Sequence, residues 1–359
     1  MWDSLIVFMQ ENFDFNVDED ITDKEELAEI EEIINYIKTR KSKDIRFLKE
    51  KIAIQKASKT AGWAILVLLL VSFLISLVYS FFTITNNLTL NKIINNSATT
   101  TALQVLISVV CFGVLFSIVY KLNGYRISDL VSFKKTNKNL ALPTFFFGVA
   151  FCAFSNITAS IMSSFFSSFG IDYSMPETQL PQGFFGFMLT FLGTAVVPAF
   201  VEEFAFRGLI LGTLKKYGNG FAIITSSILF GLIHGNFGQI PFAFSVGLFL
   251  GYSTVITGSL RVAIGVHFFN NFISVFFNYF LNNISLETEN LIYTVFLLLS
   301  LVLGILFVKS DGENAKLFKF ERKETKTSEI KKYKMFFLRP LIIIVITMCL
   351  IEALGLIFV

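Results

Sequence analysis

From Ala61 onward, long apolar runs alternate with short polar connections. The runs cover residues 61–83, 101–120, 141–169, 183–207, 220–235, 240–257, 261–281, 291–308 and 340–358. A helix needs about 20 apolar residues to cross the hydrocarbon of a bilayer. The pattern therefore predicts an all-α, polytopic membrane bundle of about nine transmembrane helices. The runs 220–235 and 240–257 are short and separated only by "GNFGQ". A re-entrant hairpin is the alternative there, and it would reduce the count to eight.

Residues 1–60 follow a different pattern. The stretch "DEDITDKEELAEIEEIINYIKTRKSKDIRFLKEK" starts acidic and ends basic. Asp23 can cap a helix, and Leu27, Ile30 and Ile34 recur near helical spacing. This segment is expected to be a cytosolic helical extension, a solvated tether in preference to a module with a dedicated partner. The first twenty residues contain acids and no basic n-region, so no cleavable signal peptide is expected.

Charge placement orients the chain. With residues 1–60 inside, the tail and the connections on its side hold 28 of the 30 Lys and Arg residues. Lys92 alone falls outside, and Arg207 lies within a run. So one-sided a bias predicts a multi-pass protein of the cell membrane with a cytosolic N-terminus. Composition agrees: 54% of the 359 residues are hydrophobic, 16% are charged, and the mean hydropathy is +0.66. Phenylalanine, at 44 residues, is read as lipid-facing or core. Cys111, Cys152 and Cys349 lie singly in apolar runs without metal or disulfide spacing, so they are read as reduced packing residues. Membrane lipids are the expected surroundings, and nothing suggests a nucleic-acid partner.

Ionisable groups inside apolar runs are costly and point to function. The segment "VEEFAFRG" places Glu202, Glu203 and Arg207 after a stretch with no charge. Glu203 and Arg207 are four apart, on one helical face, with the carboxylate first. They are expected to neutralise each other and to be structural. Glu202 is rotated about 100° away and has no evident partner on its own helix. A carboxylate so placed can act as a base near neutral pH. The chain has only two histidines, His234 and His267, and both lie in predicted spans. His234 follows Phe230 by four, so ring and imidazole should lie one above the other. His267 and Asn271 share a face and can both donate hydrogen bonds, which suits a developing oxyanion. Glu352, in the last run, is expected to be a packing or lipid-interface contact.

Three motifs then combine. "EEFAFR" has the form E-E-x-x-x-R, "FGLIH" the form F-x-x-x-H and "HFFNN" the form H-x-x-x-N. In that order, in successive membrane segments, they resemble the CAAX-protease and bacteriocin-processing (CPBP, or Abi) family of intramembrane endopeptidases. The resemblance covers about Pro181 to Leu281, which marks a protease core at 181–281 within a bundle spanning 61–359. It implies hydrolysis of a peptide bond near the C-terminus of a membrane-embedded or lipidated substrate. By position, Glu202 would activate water assisted by His234. His267 and Asn271 would line the oxyanion side, and Glu203, Arg207 and Phe230 would support the site.

The residues leave the metal question open. There is no H-E-x-x-H, yet Glu202, His234 and His267 could supply the three ligands of a catalytic zinc, with Glu203 as base. A directly held water is preferred here, because it also accounts for Asn271 as a donor beside His267. Two rival classes stand beside the protease. A transporter would fit the Gly-rich breaks, but the E-E-x-x-x-R segment has no second copy. A membrane scaffold or bacteriocin-immunity protein could keep the fold without turnover.

Overall fold

The structure is a computed structural model, and it describes residues 42–84, 96–170, 180–281, 284–308, 325 and 327–355. The Asp23 cap and its candidate helix lie outside the described residues. Everything regular among the described residues is helical. We number the main helices α1 Ser42–Ile84, α2 Ser97–Leu122, α3 Lys138–Ser167, α4 Gly183–Tyr217, α5 Asn219–Leu232, α6 Gln239–Thr257, α7 Leu260–Phe280, α8 Leu286–Phe307, α9 Glu329–Phe337 and α10 Pro340–Gly355.

Each of the nine apolar runs has become a helix. Among the described residues seven helices are long and apolar enough to cross a membrane, and α9 with α10, bent by 75°, makes an eighth if counted as one span. The difference from nine lies in α5. Its 14 residues rise only about 21 Å at 1.5 Å per residue, short of the roughly 30 Å hydrocarbon layer. The chain is a multi-pass membrane protein in its architecture. The described part of the N-terminal extension is continuous with the first span, since α1 runs unbroken from Ser42 to Ile84.

The second half of α4 is the axis of the bundle. Every residue from Ala205 to Leu214 is buried. Phe206 lies at its centre, packed on Phe112 and Phe116 of α2 and edge-on to Phe230 of α5. The first half of α4 is different, with Phe184 and Phe185 exposed. Outward-facing aromatics cost nothing in lipid, whereas backbone polar groups there must be satisfied within the protein.

Two π-helical stretches interrupt α4, Phe191–Val196 and Phe204–Ile210, and a third, Val109–Leu115, lies in α2. The first has a local cause. Pro198 follows it and has no N–H to offer the carbonyl of Thr194, four residues earlier, so the turn opens. Such widened turns are often found at functional sites.

Helix α9 and the first part of α1 extend this core through Ile54, Ala57 and Phe336 and are bonded to each other. Ser58 donates from Oγ to the Phe336 carbonyl at 2.6 Å, and Glu50 accepts from the Thr327 N–H at 3.0 Å.

Candidate functional site

Helices α4, α5, α6 and α7 bring the motif residues together around one buried carboxylate. Glu203, fully buried, accepts two hydrogen bonds on the same oxygen, Oε1. One comes from Arg207 Nη1 at 2.9 Å and the other from His267 Nδ1 at 2.9 Å. Arg207 is itself buried. Its Nη2 donates to the Gly247 carbonyl at 3.3 Å, and its guanidinium lies 4.2 Å over the Phe230 ring. A charge at this depth needs both a counter-charge and hydrogen bonds, and a cation against an aromatic face gains further when desolvated. Gly247 is required by this approach, because a Cβ there would come within 3.1 Å of Arg207 Nη2 and 3.3 Å of Phe230 Cδ1.

Glu203 thus does more than neutralise Arg207: it ties α4 to α7. The sequence showed the i,i+4 pair but not the bond to a histidine 64 residues away. With Nδ1–H committed to Glu203, the opposite edge of the His267 ring faces Glu202, with Nε2 3.9 Å from Oε2. Holding one imidazole nitrogen by a carboxylate fixes the tautomer and aims the other nitrogen. Glu202 is not fully enclosed; its side chain is 16% exposed, against 0% for that of Glu203. Two adjacent carboxylates therefore have different environments, one buried with two donors on Oε1 and none on Oε2, the other facing a histidine with room beside it.

His234 closes the α5 side. Its Nδ1 lies 2.7 Å from the Phe230 carbonyl, which assigns the proton to Nδ1 and leaves Nε2 as the working nitrogen. The Phe230 ring is edge-on to His234 at 5.0 Å and to His267 at 5.9 Å, and so separates the two imidazoles. After His234 the chain turns through Gly235 at φ +58. The buried Asn236 side chain accepts from the N–H groups of Gly238 and Gln239, at 2.7 and 3.2 Å, and so starts α6. Glu352 does pack, and against this turn. A Cβ on Gly235 would lie 2.9 Å from its Cδ.

Asn271 has a different neighbourhood from the one its motif suggests. Its Nδ2 donates to the Thr194 carbonyl at 3.0 Å, and its Oδ1 accepts from Asn270 at 3.2 Å. Thr194 is the residue whose carbonyl Pro198 cannot serve, so Asn271 supplies the donor that the proline removes. A proline four residues after a backbone carbonyl in a membrane-spanning helix was the available sequence signal for this role.

Glu202, His234 and His267 are the ligands named above for the alternative in which a zinc takes part. Among the described residues no group of three His, Cys, Asp or Glu side chains is placed to hold a metal ion. Glu202 Oε2 and His267 Nε2 face each other at 3.9 Å, a spacing longer than a hydrogen bond.

Comparison with known proteins agrees with the motifs. Residues 184–273 match the family described as Rce1-like, the type II CAAX prenyl endopeptidases. The match spans roughly a quarter of the chain and contains Glu202, Glu203, Arg207, Phe230, His234, His267 and Asn271. Neither the curated proteins nor the solved structures give a match.

Proposed function

On the premise that residues 184–273 place this membrane bundle in the CAAX-protease (CPBP) family, and with it among the hydrolases, we propose that it cleaves a peptide bond of a membrane-embedded or lipidated substrate, near that substrate's C-terminus. One observation carries the reading: Glu203 Oε1 holds both Arg207 and His267, so that the His267 Nε2 edge faces the partly accessible Glu202. Glu202 takes a proton from a water, and the hydroxide adds to the substrate carbonyl. His234 Nε2 helps to place the water. His267 turns its Nε2 edge toward the reacting carbonyl, and Glu202 returns the proton it took to the leaving amine. Glu203 and Arg207 keep the imidazole aimed. Asn271 keeps the first turns of α4 in register beneath it. The positive-inside distribution of Lys and Arg supports a cytosolic N-terminus, which puts the Lys215 end of α4 on the cytosolic side.

The test compares protein termini in membranes from cells carrying the wild-type chain and Glu202→Gln. Termini found only with the wild type support proteolysis and identify the substrate. Identical termini, with the variant folded and equally abundant, overturn it in favour of a non-catalytic scaffold or immunity protein.

A further inference from the structure

A second polar site lies one helical turn beyond the first. A cavity of about 170 Å³ sits where α4 ends and α5 and α7 begin. On α4 it is bounded by Arg207, Leu211 and Lys215, each four residues after the last, so one stripe of the helix forms a wall. Asn219 of α5, Thr254 of α6, Ser259 at the start of α7 and Ser132 of the α2–α3 connection complete the polar lining, and no carboxylate is among the lining residues.

Several independent features of this cavity favour an anion. Arg207 is only 1% exposed, and while both its terminal nitrogens are bonded, its Nε has no partner. Ser132 Oγ is likewise buried without one. Two helices of 14 and 21 residues begin at the cavity. The first turns of helices carry unsatisfied N–H groups and a partial positive charge, the arrangement that receives phosphate elsewhere. Arg207 Nε, Ser132 Oγ, the Lys215 side chain and the start of α5 converge from different directions and suit a ligand with several acceptor oxygens. The start of α7 adds only its dipole, since its first two N–H groups donate to the Ser132 carbonyl and to Ser259 Oγ.

We propose that this cavity binds a phosphate group at the membrane surface, supplied by a phospholipid headgroup or by soluble phosphate. The cavity lies at the Lys215 end of α4, the end that the distribution of Lys and Arg assigns to the cytosolic surface, so both sources can reach it. A phosphate oxygen on Arg207 Nε would brace the guanidinium whose Nη1 holds Glu203, and through Glu203 the imidazole of His267. Occupancy would thereby raise turnover; this consequence alone rests on the proposed proteolysis, while binding does not.

The experiment uses the full chain in phosphatidylcholine nanodiscs. Inorganic phosphate is titrated with the thermal unfolding midpoint as readout. In parallel, phosphatidic acid is introduced at rising fractions and its retention is counted by native mass spectrometry. Lys215→Gln and Asn219→Glu alter the wall and leave the Arg207–Glu203 pair in place. We expect a binding isotherm for at least one ligand in the wild type, weakened tenfold or more by either variant, with unfolding midpoints unchanged in ligand-free discs. A response to phosphate alone identifies the soluble source, and one to phosphatidic acid alone identifies the headgroup. No saturable binding of either, or binding equal in wild type and both variants, overturns the proposal. Glu202→Gln is measured alongside and should bind as the wild type does, so a chain without protease activity would leave the binding result intact.

Discussion

Helices α4 and α8 are both apolar enough to span a bilayer, yet they occupy opposite places in the bundle. In α8 the buried residues are Tyr293, Ser300 and Gly304, while Leu291, Leu298, Leu299, Val302, Ile305 and Leu306 face outward. Gly304 lets α3 approach, since a Cβ there would meet the Phe147 ring at 2.8 Å. The second half of α4 buries every residue from Ala205 to Leu214 and, with Glu203, a full ion pair. Water drives large apolar side chains to the centre of a soluble protein, but lipid gives no such drive. Small residues and polar bonds decide which helix faces are buried in a bilayer. Apolarity therefore shows that both helices cross, and their charges and glycines show which one forms the centre.

The sharpest way to break this contrast is to remove the working group of α4. Glu202→Gln should lower cleavage by about 10³-fold, within the range of a lost acid–base group, with no loss of folded protein by thermal unfolding. Removing a partner from the buried pair should instead cost stability. Arg207→Ala strands Glu203 and should destabilise by about 3–5 kcal/mol, read as a fall in folded abundance and in unfolding midpoint. Asn271→Ala leaves the Thr194 carbonyl without its donor and should cost about 1–3 kcal/mol. In a Pro198→Ala background, where the backbone supplies its own N–H, the same change should cost markedly less. An equal penalty in both backgrounds would contradict the pairing of proline with asparagine. Gly304→Leu in α8 should force Phe147 aside for about 1–3 kcal/mol, an effect on packing with kcat preserved in the folded fraction. Leu298→Ala, on the lipid face of the same helix, should stay within about 0.5 kcal/mol.

Much of the fold was legible because spans are written in runs of apolar residues, and each run found its helix. The short α5 was legible only as an ambiguity, since composition gives the length of a run and not how deep its end lies. In the site, the i,i+4 geometry correctly joined Glu203 to Arg207 and Phe230 to His234. Contacts across helices were hidden: the Glu203–His267 bond, the Gly247 carbonyl under Arg207, and Glu352 against Gly235 join residues with no shared period. The π-helical turns were hidden for another reason. A single widened turn hardly disturbs a pattern in which every position is apolar, so no periodicity records it.

Those widened turns have a consequence for how α4 can vary. Each holds one residue more than an α-helical turn would, and one residue is about 100° of rotation. The stretch at Phe191–Val196 therefore works as a phase shifter between the lipid-facing half of α4 and the half that carries Glu202, Glu203 and Arg207. Deleting one residue within it could restore a regular helix with the two halves still in phase, but closing the turn to α-helical spacing at full length would swing one half against the other by about 100°. Either the exposed phenylalanines would turn inward or the carboxylates would turn away from His267. The register of the site against the membrane is thus stored in a count of residues as much as in their identities.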